Sequence, residues 1–328
     1  MTLIVAGYTG SSGWGRKSYD QIFFVGDTLL SNDGRTGKRE RLIEIFRKVR
    51  SIPVKIWIPQ FDTEDYFSRY LESFSSTCVI AYAGSTLTFS HMLNGIEQHL
   101  SQLRYGYNVI DRQYEIVKHC SEGALGRDYS TFWAKDINFS SQNLPALTAD
   151  FQMEVISHVI RRALKDVSAH RLLDQNSFNS IRCQLAIALY CWQTHKPVLY
   201  RVDVVLSEEY PRYATLECRR LGEHEVTVLG KPSKPLQDEV QQLINESRKE
   251  PEPPVQKANP GEIPDRGTSD VRAAKAILRR EILADEKQEL NYIGGLIDCW
   301  EFSYHGHTEN WYEKITLSVA IDAAADHG

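Results

Sequence analysis

Three features are scarce or missing in this 328-residue sequence, and each argues against a class of protein. No apolar stretch approaches the length that a membrane-crossing helix needs. Positive charge is not in excess, because 38 Lys and Arg stand against 43 Asp and Glu for a net charge of −5, which disfavours nucleic acid as the main partner. The N-terminus lacks the basic start, apolar core and cleavage site of a secretory signal, so we expect the mature chain to begin within a residue of Met1.

Cysteine is sparse and scattered, and no two cysteines form a Cys-x-x-Cys pair. For a chain of this length without an export signal, reduced and mostly buried thiols are expected rather than a disulfide framework or a zinc site. His305 and His307 lack a third ligand at a recognised spacing, so no metal is expected there. These features together predict a cytoplasmic protein.

The apolar pattern predicts strands and helices along most of the chain. Continuous or alternating apolar runs predict strands at 3–6, 21–25, 77–83, 181–192, 197–206, 225–229 and 292–304. Apolar residues recurring every three or four positions predict helices at 37–52, 87–103, 151–167, 236–247 and 269–290. This order of elements favours an α+β or layered α/β/β/α domain over alternating βαβ units.

One segment has the composition of a linker or loop. Residues 251–264 contain five of the twelve prolines, with charges and almost no large apolar side chains. We therefore treat residues 249–269 as a Pro-rich loop or linker.

The segment from Gly10 to Ser18 nearly matches the phosphate-binding pattern G-x-x-x-x-G-K-[ST]. Arg16 separates the second glycine from the lysine, and the following residues are typical of a strand rather than of the required helix. We interpret residues 7–18 as a mobile loop between the first two strands, with nucleotide binding as a minor alternative.

Position two carries the most informative residue. Thr2 becomes the first residue if Met1 is removed, which places a hydroxyl and an α-amine on one residue. The pKa of such an amine is about 8, so it can act as a base near neutral pH. A threonine with its own N-terminal amine is a recognised pairing of nucleophile and base.

Four segments in order strengthen this interpretation. They are Thr2-Leu-Ile-Val, Phe24-Val-Gly-Asp-Thr28, Arg47-Lys-Val-Arg-Ser-Ile52 and Val79-Ile-Ala-Tyr-Ala-Gly-Ser-Thr86, the last followed by an apolar-striped helix. Together they resemble proteasome-type N-terminal-nucleophile (Ntn) hydrolases, in particular bacterial proteasome-like threonine peptidases. The resemblance continues at Lys196 to Tyr200, Thr227 to Gly230 and Tyr292 to Gly295, and so spans most of the chain.

The resemblance implies a catalytic group. Thr2 matches the nucleophile, Asp27 the orienting carboxylate and Lys48 the ammonium beside the N-terminal amine. A cation there lowers the pKa of the amine, and a carboxylate keeps the lysine charged and in place. Lys55, in an apolar run with strand character, is the alternative active-site lysine.

The resemblance also implies substrate-binding positions. Backbone N–H groups near Ala83 and Gly84 match the oxyanion-stabilising turn of the family. Ala81 matches the base of the specificity pocket, where a small side chain leaves room for a bulky apolar group.

Some positions depart from the family pattern. Lys231 stands where an auxiliary serine is expected, with Ser233 as a possible substitute, and Leu29 replaces a commonly polar residue. Leu290 and Ile293 replace the expected Asp and Ser before the Gly-Gly pair. These losses affect proton transfer at the amine and keep open a catalytically silent subunit.

The expectation from the resemblance is a four-layer αββα sandwich of antiparallel sheets, forming one Ntn-hydrolase-like domain over residues 2–328 with insertions. It implies a threonine-type peptidase or amidase without a cofactor, acting on a peptide or protein substrate. Family members form rings and often work with an ATP-dependent unfoldase, so a homo-oligomeric ring is expected. The alternative is a non-catalytic scaffold or binding subunit with the same fold.

Overall fold

The computed structural model describes residues 2–13, 16–33, 39–61, 67–108, 113–117, 139–168, 175–208, 213–230, 234–249, 268–288, 293–303 and 306–313. Within these ranges the chain is a mixed α/β structure with mostly antiparallel sheets. The strands of the first half are β1 (Ile4–Gly13), β2 (Arg16–Asp27), β3 (Leu30–Asp33), β4 (Arg39–Ile43), β5 (Val49–Phe61), β6 (Phe67–Gly84), β7 (Leu103–Asn108) and β8 (Gln113–Val117). Those of the second half are β9 (Cys183–Cys191), β10 (Lys196–Leu206), β11 (Ala214–Arg220), β12 (Val226–Leu229), β13 (Ile297–Phe302) and β14 (Thr308–Glu313).

The described residues also form five α-helices. They are α1 (Thr86–Leu100), α2 (Ala149–Ser168), α3 (Gln175–Ile181), α4 (Lys234–Ser247) and α5 (Ser269–Lys287). Four of these confirm the helices predicted from apolar spacing, with ends shifted by a few residues. None of the described helices combines the length and apolar character that crossing a bilayer requires.

The strands pair into two larger sheets and one small one. Five strands form the first sheet in the order β12-β1-β2-β13-β14, and seven form the second in the order β11-β10-β9-β6-β5-β7-β8. The hairpin β3-β4 is separate. Among the described pairs, only the short contact between β5 and β7 is parallel.

The first strand shows why its sequence is apolar on both faces. Ile4 and Ala6 belong to the core shared with the second sheet and helices α1 and α2. Leu3 and Val5 belong to the core shared with helices α4 and α5. Because successive side chains of a strand point to opposite faces, a continuous apolar run here serves two cores at once.

Two predictions for the first fifty residues were wrong. Residues 7–13 and 16–18 belong to strands rather than to a loop, because β1 and β2 continue through them and pair as far as Gly13 and Arg16. Polar and glycine residues can extend a hairpin, since the ladder is made by backbone groups. A phosphate-binding loop is followed by a helix, whereas here the described residues after the segment form strand β2.

The helix predicted for residues 37–52 is replaced by the second strand of the β3-β4 hairpin and the start of β5. Leu42, Ile43 and Ile45, which suggested a buried helix face, are exposed by 57%, 46% and 61%. Apolar spacing alone could not distinguish a helix from a strand here, because the residues that pair with β4 lie six to thirteen positions earlier, in β3.

Of the six cysteines, Cys78, Cys183, Cys191 and Cys299 are buried free thiols and Cys218 is an exposed one. Cys120 lies outside the described residues, as do the Pro-rich residues 250–267.

Candidate active site

Asp27 ends β2 and is completely buried. Its Oδ1 accepts a hydrogen bond from the backbone N–H of Leu3 at 2.8 Å. Its Oδ2 accepts from Lys48 Nζ at 2.8 Å and from the N–H of Gly294 at 3.3 Å. One carboxylate without solvent exposure therefore accepts hydrogen bonds from three donors, one of which is a cation.

Lys48 lies just before β5 and is only 3% exposed. Its carbonyl accepts from the N–H of Tyr82, which ties the start of β5 to the end of β6. Burial lowers the pKa of the Lys48 ammonium, and the charge and hydrogen bond of Asp27 oppose that shift. The result is a buried lysine that is held as a cation by one carboxylate but gives up its proton more readily than a surface lysine.

Lys55, the alternative, lies elsewhere. Its Nζ forms a 2.6 Å ion pair with Glu72 on the neighbouring strand, and both side chains are about one-third exposed, at 31% and 37%. The structure therefore brings Lys48, and not Lys55, to Asp27.

Thr2 precedes β1 and lines a cavity of about 820 Å³ together with Lys48 and Gly84. The backbone on its C-terminal side is fixed twice, because Leu3 donates to the Asp27 carboxylate and the Leu3 carbonyl accepts from the Asp27 N–H at 3.1 Å. Gly230 packs against it from the other side. A Cβ at Gly230 would lie 1.8 Å from the Thr2 carbonyl oxygen, and the φ of +94° is unfavourable for other residues, so only glycine fits.

The turn at the end of β6 forms another wall of the cavity. Gly84 has a φ of +117°, and a Cβ there would lie 2.4 Å from the carbonyl oxygen of Arg182. That same carbonyl accepts from the N–H of Ser85 at 3.0 Å, which fixes the turn. Ala83 also lines the cavity, whereas Ala81, two residues earlier on the same face of the strand, is completely buried in the core.

The cavity is lined by both apolar and polar side chains. The larger apolar side chains are Leu29, Leu30, Phe46 and Tyr82. Tyr82 stacks on Phe89 with ring centroids 3.5 Å apart, and burial raises the pKa of its hydroxyl to about 12, so it stays neutral near pH 7. The polar side chains of the lining include Asn179, Ser180, Arg182 and Gln184.

Gln184 is a cavity residue that was not predicted from the sequence. Its Oε1 accepts from the N–H of Gly230 at 2.9 Å, and its Nε2 donates to Asp203 at 2.7 Å. Its sequence context could have indicated it, since Gln184 is a single amide in the otherwise apolar run of β9 and a buried polar side chain requires hydrogen-bond partners.

Several positions selected from the sequence lie outside the described residues. They are Met1, Lys231, Ser233, Leu290 and His305. In the described part of the chain no group of three or more His, Cys, Asp or Glu side chains is placed to hold a metal ion.

No protein-family model and no curated protein matches this sequence. Solved structures of Anbu proteins are similar in shape at low identity. A mutant of Anbu from Hyphomicrobium sp. strain MC1 has 12% identity and a TM-score of 0.44, covering 97% of this chain and 88% of that one. A helical assembly of the Anbu complex from Pseudomonas aeruginosa has 13% identity and a TM-score of 0.42, covering 98% and 88%.

A third structure, Anbu (ancestral beta-subunit) from Yersinia bercovieri, has 10% identity and a TM-score of 0.40, covering 95% of this chain and 86% of that one. Because the TM-scores are below 0.5, these similarities do not indicate the function of this chain.

Proposed function

We propose that this chain is a proteasome-like threonine peptidase in which Thr2, freed by removal of Met1, is the nucleophile. The observation that carries the proposal is the buried pair of Asp27 and Lys48, 3% exposed or less, at the cavity that Thr2 lines. A buried ion pair is costly to desolvate and contributes little net stability, so its place beside an N-terminal threonine favours a chemical role.

In the proposed reaction the Thr2 hydroxyl attacks the carbonyl carbon of an amide bond. The Thr2 amine accepts the hydroxyl proton and then gives it to the leaving nitrogen as the C–N bond breaks, which leaves an ester on Thr2. Water hydrolyses the ester, with the same amine accepting its proton and returning it to the Thr2 oxygen. The Lys48 charge lowers the pKa of the amine, so that the amine is neutral and basic near pH 7.

The other groups that line the cavity then bind the substrate and stabilise the intermediate. Backbone N–H groups at Ala83 and Gly84 stabilise the oxyanion of the tetrahedral intermediate. The apolar side chains of the cavity, which Ala81 does not line, receive an apolar side chain of a peptide substrate. No cofactor is needed for these steps.

We also propose how the sheets and helices are layered. The two larger sheets pack between the α1-α2 and α4-α5 helix pairs as a four-layer αββα sandwich. This is supported by one core that spans both sheets and a second core under α4 and α5. Residues 2–328 form a single domain with the Pro-rich loop 249–269 as an insertion. The sequence resemblance extends the proposal to a cytoplasmic homo-oligomeric ring that receives substrates from an ATP-dependent unfoldase.

Replacement of the nucleophile tests the proposed function. Thr2→Ala should abolish hydrolysis of a fluorogenic peptide library, whereas Thr2→Ser, which keeps a hydroxyl and an amine on residue two, should retain measurable turnover. Intact mass confirms in each case that Met1 has been removed. Undiminished hydrolysis by Thr2→Ala would contradict the proposal.

A further inference from the structure

Gln184 occupies a central position between the elements that form the cavity. In the second sheet it pairs with Ala83 on one side and with Asp203 on the other. Its side chain is 7% exposed and reaches Gly230 at the end of β12, in the first sheet. One residue of the second sheet therefore contacts the turn that packs against Thr2.

The orientation of the Gln184 amide is determined by its two partners. The backbone N–H of Gly230 can only donate and lies 2.9 Å from Oε1. The Asp203 carboxylate, when ionised, can only accept and lies 2.7 Å from Nε2. A single orientation satisfies both, so Asp203 fixes which end of the amide faces Gly230.

Asp203 is itself fixed by Arg201. The guanidinium Nε lies 2.7 Å from Oδ2 and the Nη2 lies 3.1 Å from Oδ1, a bidentate pair with defined geometry. The remaining Nη1 donates to the Thr227 hydroxyl at 3.1 Å. Gln184 and Arg201 of the second sheet therefore contact the first sheet at two points, Thr227 within β12 and Gly230 directly after it.

We propose that Gln184 is a positioning residue that sets the spacing between the Thr2 hydroxyl and the Gly84 turn. Gly230 packs directly on the Thr2 carbonyl, so a shift of Gly230 moves Thr2. Gly84 extends the strand that pairs with Gln184. The inference rests on the proposed function, because the spacing matters only if Thr2 attacks a carbonyl whose oxygen lies at that turn.

The test compares Gln184→Leu with the control Gln152→Leu. Gln152 is another buried amide, 2% exposed, whose Nε2 donates to the carbonyl of Tyr190 at 2.9 Å. Each change removes a buried amide without a large change in volume. The measured quantities are kinact and KI for a peptide epoxyketone that labels Thr2, followed by intact mass, with the melting temperature of each variant.

Gln184→Leu should lower kinact by about 10²-fold, the loss typical of a displaced reacting group, and change KI by less than about threefold. Gln152→Leu should keep kinact within about twofold of the wild type, even if its melting temperature falls by as much as that of Gln184→Leu. If the wild type is labelled and Gln184→Leu reacts equally fast, the positioning role is wrong and the proposed function stands. If the wild type itself is never labelled, the proposed function fails, and this inference fails with it.

A second pair of variants keeps the test decisive if Gln184→Leu does not fold. Asp203→Asn retains a side-chain oxygen that can accept from Nε2, whereas Asp203→Leu does not. The Asp203 side chain is 25% exposed, so both replacements should fold. Asp203→Leu should be labelled about tenfold more slowly than Asp203→Asn. Equal rates for the two variants would overturn the inference.

Discussion

Removal of the Lys48 charge should destabilise the fold far more than removal of a surface lysine. In Lys48→Met the carboxylate of Asp27 keeps its two backbone donors but loses the cation 2.8 Å away, in a place where the two side chains are 3% and 0% exposed. Leaving one member of a buried ion pair unpaired costs about 3–5 kcal/mol. In the control Lys55→Met, the lost pair with Glu72 is 31% and 37% exposed, and solvent screening limits the loss to about 1 kcal/mol or less.

Urea unfolding at pH 7, followed by tryptophan fluorescence, measures both losses. The double variant Lys48→Met/Asp27→Asn should recover part of the stability, because it leaves no uncompensated charge, so the two single losses should not add. Equal losses for Lys48→Met and Lys55→Met would refute the reasoning. So would a double variant whose loss equals the sum of the two single losses.

Two further predictions concern Asp298, on the strand that pairs with β2, and Gly230, which packs against Thr2. Burial raises the pKa of the Asp298 carboxyl from 3.8 to about 6, so the unfolded chain loses this proton first and stability falls as the pH rises from 4 to 6. Asp298→Asn should therefore raise the free energy of unfolding by roughly 3 kcal/mol at pH 7, with a gain that disappears towards pH 4, as measured by urea titrations at both values. Gly230→Ala should abolish epoxyketone labelling, since its Cβ would lie 1.8 Å from the Thr2 carbonyl oxygen. Gly222→Ala, whose Cβ would lie no closer than 3.7 Å to its neighbours, should be labelled like the wild type, and equal labelling of both variants would count against the site geometry.

The features that could be predicted from the sequence are those with a local signal. The apolar run at 3–6, the strand ending at Gly84 and the striped helix after it are each specified within about twenty residues. The pairing of Asp27 with Lys48 came from the order of motifs, since the spacing of the two residues does not by itself indicate contact. The roles of Thr2, Asp27 and Lys48 stay predictions, because a distance between side chains does not demonstrate catalysis.

The features that were missed depend on distant partners. Residues 39–43 form a strand because β3 pairs with them, and their exposed apolar side chains follow a spacing that fits a helix equally well. The role of Gln184 depends on Gly230, 46 positions away, and on Asp203, 19 positions away. Neither partner can be chosen from the sequence alone, because any polar residue could satisfy a buried amide.

The chemistry of residue two tests the central claim most directly. A peptide epoxyketone reacts with both groups of an N-terminal threonine, as the hydroxyl adds to the ketone and the amine opens the epoxide, so the adduct keeps every atom of the probe. Intact mass followed by digestion should find one probe per chain, attached to the N-terminal peptide beginning at Thr2, and none on Thr2→Ala. A wild-type chain that retains Met1, or that carries the probe on another peptide, would contradict the account.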